Sequence, residues 1–266
     1  MLPPRATRFG VYNWGVDYSA YPGGLTDRLN WAADKVAGLG SKTIRVAMPG
    51  DTYQITPPPD ASLAQVAASP AYDKLFSDTR FQTYLLTAYS ASDLRSQWSD
   101  GYTTIEAAQT RNEFAQLGEY LLSQPRFAGK TFILLNWEGD NAIEPFANKS
   151  SIWESYTAWI QARADGVKAA RQSFPNSTVK LYSGLEFNRV WVSKGVPCGA
   201  PVRDRAQQNP LRNRCVINYV APRVEVDYYS YSAWQTIHET IAQGLKIKPA
   251  INDDLQRALN FVRAQQ

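Results

Sequence analysis

The feature that most constrains this chain is a repeated order of segments: a short apolar run, a polar loop, then an amphipathic helix. Strands joined through helices re-enter a sheet in the same direction, so the pattern predicts a parallel sheet with crossover helices. The apolar runs are Arg8 to Gly15, Thr43 to Met48, Phe81 to Ala88, Lys130 to Asn136, Val179 to Leu185 and Val224 to Ser232. Helical stretches are predicted at about 25–39, 62–76 (one helix or two), 104–123, 151–173 and 252–264. Their ends carry local signals: Thr26 or Asp27 as a cap and Gly40 as a stop for the first, and Pro175-Asn176 after the fourth. In the third, Phe114, Leu117, Leu121 and Leu122 recur at helical spacing.

The chain has 266 residues, near the ~250 of a single (β/α) barrel. Six strand units are legible, where a closed barrel needs eight. The predicted fold is therefore α/β, a TIM (β/α)8-type barrel apparently truncated after about six β/α units. It is read as one incomplete domain over 1–266, with a loop excursion over the rim at about 190–222. An open doubly wound sheet is the alternative, with another strand order and ligand crevice.

Composition narrows the function classes. Hydrophobic residues make up 44% and charged residues 20%, which argues for a packed core over disorder. The net charge is +4 with both signs interspersed. The densest basic cluster, Arg203, Arg205, Arg212 and Arg214, falls in one loop and forms no basic stripe, so no nucleic-acid partner is expected. The single His and the spacing of Cys198 and Cys215 argue against a metal site. No cofactor is expected either: Gly23-Gly24 lacks the Lys and spacing of a phosphate-binding loop. The two cysteines either close one loop as a disulfide, suiting an oxidising compartment, or remain thiols. No apolar stretch approaches the ~20 residues of a membrane span. Met1-Leu2-Pro3-Pro4 lacks the basic start and apolar core of a leader. The reading is an extracellular or periplasmic protein whose leader is absent from this sequence, with a cytoplasmic place as the alternative.

In a parallel β/α fold, functional side chains gather at the C-terminal ends of strands. Those positions hold Asn13 and Trp14, Arg45, Tyr89, then Asn136, Trp137, Glu138, Asp140 and Asn141. Glu186 and Asn188 follow the fifth run, and Tyr229, Tyr231 and Trp234 lie on or after the sixth. Glu138 is the leading candidate for catalysis. It follows an apolar strand and adjoins Trp137, and an apolar wall favours a protonated carboxyl suited to general acid work. Its competing role is a loop cap. Glu186 reads as a substrate contact or an ion pair with Arg189 or Arg45, and Asp140 as a substrate hydrogen-bonding group. His238 reads as a surface or cap residue rather than a catalyst. Tyr and Trp are abundant, fifteen and eight. Many serve the core, but those at strand ends suit stacking on a sugar face.

Asn136-Trp137-Glu138 at the end of a fourth strand resembles the Asn-Glu motif of retaining glycoside hydrolases in the (β/α)8 superfamily that includes cellulases and mannanases (clan A). Thr43-Ile44-Arg45-Val46 is similar to its second strand, Val226-Asp227-Tyr228-Tyr229-Ser230-Tyr231 to its sixth, and Phe9-Gly10-Val11-Tyr12-Asn13 to its first. The resemblance implies a hydrolase of β-linked oligo- or polysaccharides with Glu138 as acid/base. Arg45, Asn136 and Tyr231 would position nucleophile and sugar, and Trp14, Trp137 and Trp234 would be stacking platforms. Two departures stand out. Trp137 separates Asn from Glu, and the sixth strand has Tyr where many members have His. The superfamily takes its nucleophile from a seventh strand, which is expected to be missing here. A non-catalytic carbohydrate-binding barrel relative is the competing reading.

Overall fold

The computed structural model describes residues 10–13, 21–49, 53–58, 60–90, 98–193, 196–199, 210–234 and 248–265. The strands are β1 (Gly10–Tyr12), β2 (Thr43–Met48), β3 (Thr83–Ala88), β4 (Thr131–Leu135), β5 (Lys180–Phe187), β6 (Trp191–Ser193), β7 (Val196–Pro197) and β8 (Tyr228–Tyr231). The helices are α1 (Arg28–Gly38), α2 (Leu63–Ala67), α3 (Pro70–Ser77), α4 (Thr104–Ser123), α5 (Gly139–Ile143), α6 (Ser150–Ser173) and α7 (Lys248–Ala264). Six strands form one sheet in the order β1-β2-β3-β4-β5-β8. The order follows the chain and does not reverse, unlike the doubly wound alternative. The pairings from β1 to β5 are parallel. The molecule is thus a mixed α/β protein built on a six-stranded sheet, a topology compatible with part of a β/α barrel.

The chain divides into two compact units. The first comprises Met1–Arg95, Ile105–Asn136 and Ala162–Gly184. Its strands are buried on both faces towards their C-terminal ends, as β2 and β3 show, and this is why they read as continuous apolar runs. The core gathers Phe76, Tyr84, Phe127 and Phe132, with Phe76 meeting the other three rings edge-on and Tyr84 stacked on Phe132 at 4.9 Å. Lys130 is buried beneath them. Its Nζ donates to the carbonyls of Asp78 (2.6 Å) and Phe81 (3.1 Å) and to the Tyr84 hydroxyl (2.9 Å). All three ammonium protons are therefore used, while burial pulls the amine below the usual lysine range. Gly166 lets a helix approach closely: a Cβ there would stand 2.4 Å from the Arg111 carbonyl oxygen.

The second unit comprises Ser96–Thr104, Trp137–Gln161 and Leu185–Gln266. Its packing centres on Trp98, which meets Phe146 and Tyr156 edge-on at 5.9 and 4.9 Å. The predicted excursion has more order than a rim loop. It contains the hairpin β6–β7, a π-helix at Val216–Val220 and a 3-10 turn at Ala221–Arg223. Val216, Ile217 and Val220 are buried, as are both cysteines. Cys198 and Cys215 form a disulfide. Helix α5 was not expected either; at five residues it is shorter than the window in which helical periodicity can be read. The strand expected from the sixth apolar run is shorter than that run: β8 covers only Tyr228–Tyr231. Among the described residues, no helix is long and apolar enough to cross a membrane.

Asp27 caps α1 by accepting from the Asn30 amide at 3.2 Å and pairs with Lys74 at 2.8 Å. Burial acts to raise its carboxyl, but the hydrogen bonds from Lys74 and Asn30 outweigh it and hold it below the usual aspartate value. A depressed folded value means the contribution is present above the unfolded value and disappears as pH falls through the folded one. Asp27→Ala is expected to cost about 1 kcal/mol near pH 7. Urea midpoints should show the gap to the parent narrowing steadily as pH is lowered below about 4.

Candidate functional site

Strand β4 stops at Leu135, so the alternation of faces that would apply to a longer strand does not reach Glu138. Glu138 instead lies in the left-handed region with φ of 28°. A non-glycine residue there costs of order 1–3 kcal/mol, and such strain persists only when neighbours enforce it. Two neighbours in the second unit do so. Gly139 is packed so tightly that a Cβ would stand 2.6 Å from the Tyr156 hydroxyl and 3.0 Å from the Glu186 carbonyl oxygen. Asp140 is buried and accepts three backbone amides: Asn188 and Arg189 at 3.0 Å each on Oδ2, and Val216 at 2.7 Å on Oδ1. Burial pushes its carboxyl above the usual aspartate range, against the pull of those three donors. The turn is clamped on both sides, and Glu138 has no room to relax.

The Glu138 side chain is 9% exposed. Its Oε2 accepts from Asn141 Nδ2 at 2.6 Å and its Oε1 from Ser232 Oγ at 3.1 Å. Its backbone N–H donates to Glu186 Oε2 at 3.2 Å. Asn141 and Asn188 are joined twice: the Asn141 backbone N–H donates to Asn188 Oδ1 at 3.3 Å, and Asn188 Nδ2 donates to Asn141 Oδ1 at 2.8 Å. Ser232 is fixed in turn, because its amide donates to the Phe187 carbonyl at 2.9 Å, beside β8. The result is a carboxyl group held by oriented donors next to a second, buried carboxylate. Such a set can hold and release a proton at a defined position.

The second unit thus brings together Glu138, Asp140 and Glu186. Tyr231 belongs to the same unit and stacks on Phe187 at 5.4 Å. Tyr229 donates to the Ala221 carbonyl at 3.3 Å, and burial raises its phenol. Trp137 is half-buried, and Trp234 is 67% exposed, a ring face open to a ligand. Arg189, one suggested partner of Glu186, forms its ion pair with Glu144 at 2.8 Å. The first unit holds Asn136, which is fully buried, together with Asn13 and Arg45. Asn13 donates from Nδ2 to the Leu29 carbonyl at 3.2 Å, and its own carbonyl accepts the Tyr53 hydroxyl. Arg45 donates from Nε to Thr87 Oγ1 at 3.0 Å, with its guanidinium 4.5 Å over the Tyr12 ring. Trp14, His238, Arg203 and Arg205 lie outside the described residues.

Ser232 is the site residue that sequence reading missed. Its only signal was its place at the end of the sixth apolar run. The structure also changes the weight of Asn141 and Asn188, which sequence position alone had placed among many strand-end polar groups. Among the described residues, no cluster of three His, Cys, Asp or Glu side chains could hold a metal. Comparison of the chain with models of known protein families, with curated proteins and with solved structures found no match.

Two substitutions test the clamp. Asp140→Asn keeps the shape, but its amide would face one of the three backbone donors. Leaving a buried N–H unsatisfied should cost about 1–3 kcal/mol in urea unfolding. Glu138→Gly should be more stable than Glu138→Ala by about 1 kcal/mol, since only glycine accepts the positive φ without strain. Equal thermal midpoints for those two variants would contradict an enforced left-handed turn.

Proposed function

We propose that this chain is a retaining glycoside hydrolase of the (β/α)8 type, acting on a β-linked oligo- or polysaccharide with Glu138 as its acid/base. The observation that carries the reading is the strained, almost buried Glu138 just past β4, its carboxyl held by Asn141 and Ser232. Non-glycine residues kept in disfavoured backbone regions cluster at functional sites. In the proposed reaction Glu138 protonates the leaving glycosidic oxygen, then takes a proton from the attacking water. Tyr231, Trp137 and Trp234, in the same unit as Glu138, offer ring faces to the sugar.

A retaining mechanism needs a second carboxylate about 5–5.5 Å from the first. Glu186 is assigned a supporting role, since its Oε2 is engaged by the Glu138 backbone amide. Among the described residues no strand follows Tyr228–Tyr231, so the seventh-strand carboxylate of the superfamily pattern has no counterpart there. The Cys198–Cys215 bond supports an oxidising compartment, extracellular or periplasmic.

One observation favours a second reading, a non-catalytic carbohydrate-binding relative. Both Glu138 oxygens already have donors from within the protein. The protein assayed on aryl β-glycosides and β-linked glucans, mannans and xylans separates the two. Glycosidase action predicts hydrolysis that falls by roughly 10²–10⁴-fold in Glu138→Gln. Sugar binding that survives Glu138→Gln, with no hydrolysis by the parent, would reject catalysis.

A further inference from the structure

We infer that Glu138 carries its acid proton on Oε1, opposite Ser232, and that Asn188 and Asn141 together forbid the proton on Oε2. The inference deepens the acid/base reading and rests on it for its use, though not for its geometry.

The argument begins with a backbone amide, which can only donate. The Asn141 N–H meets the side chain of Asn188 at 3.3 Å, so the atom it meets is the Asn188 carbonyl oxygen. The Asn188 amide group is then left to face the Asn141 side chain, at 2.8 Å, so it faces the Asn141 oxygen. That leaves the Asn141 NH₂ group for Glu138 Oε2, at 2.6 Å. Each orientation follows from the one before, and the first is set by main chain. A side-chain amide whose direction is otherwise ambiguous is here determined.

A carboxylic acid places its proton on one oxygen. On Oε2 that proton would point at an NH₂ group, donor against donor. On Oε1 it would point at the Ser232 hydroxyl, 3.1 Å away. A hydroxyl both donates and accepts. Ser232 can give its own proton to the anion and, after rotating, accept from the acid. Oε1 is therefore the oxygen where both protonation states are satisfied, and Ser232 is a positioning residue that follows the proton. Three ionisable groups of this unit, among the described residues, have these partners. Glu186 Oε2 takes the Glu138 backbone amide, Asp140 takes three amides, and Arg189 pairs with Glu144.

The test follows the Glu138 carboxyl carbon by NMR in protein labelled with ¹³C at the glutamate side-chain carboxyl, the signal being assigned by its loss in Glu138→Gln. Asn141→Ala removes a donor that serves only the anion, so the titration midpoint should move up by about one pH unit. Asn141→Leu, of similar volume, also removes the donor without adding a charge and should move it up as well, which keeps the test available if the alanine variant does not fold. Ser232→Ala should move it less than Asn141→Ala, because the hydroxyl serves both states. A midpoint that falls or stays in the Asn141 variants would mean that Asn141 presents its oxygen, and the inference would be wrong. A Ser232→Ala shift as large as that of Asn141→Ala would also overturn it. No substrate is needed, so the proton assignment can stand while the glycosidase reading fails, and the reverse.

Discussion

The site in the second unit depends on one buried carboxylate. Asp140 accepts three backbone amides, one from Val216 and two from the segment after β5. Those amides would otherwise be buried without partners, which is costly. Satisfying them ties together the turn after β4, the end of β5 and the π-helix at Val216–Val220. The turn that carries Glu138 has no freedom left, and its left-handed backbone is the consequence.

The clamp reaches further through covalent and packing links. Cys215 immediately precedes Val216 and is bonded to Cys198, so the disulfide bounds the segment that supplies one of the three amides. Gly139, between the strained residue and the clamp, has Tyr156 and Glu186 where a side chain would be. The same neighbourhood thus shows strain, close packing and an oriented hydrogen-bond network. Each alone has ordinary structural uses. Their coincidence around a carboxyl group at a strand end is what directs attention to acid/base chemistry.

Sequence reading located the elements well where local signals were strong. Thr43–Met48 and Thr104–Ser123 were legible to the residue, the first from an apolar run stopped by Pro49-Gly50 and the second from its 3.6-residue period. It also placed Glu138 just past the fourth apolar run, where the structure has it following β4. It overextended the sixth strand, because Val224 and Val226 are apolar although the ladder begins only at Tyr228. It treated 190–222 as a plain excursion, because its order comes from a disulfide and contacts distant in sequence. It read Asp140 as a substrate hydrogen-bonding group, and the structure adds what sequence could not show, three backbone amides on its carboxylate.

The sequence by itself determined the β/α order, the placement of the main helices and the presence of Glu138 past the fourth strand. These follow from periodicity, caps and breakers, which act over a few residues. Only the tertiary structure decided the backbone conformation of Glu138, the direction of the Asn141 amide and the partnership with Ser232. Those depend on groups that meet across 47 and 94 positions of the chain. Local propensity carries no information about such meetings, because packing and the satisfaction of buried amides bring them about.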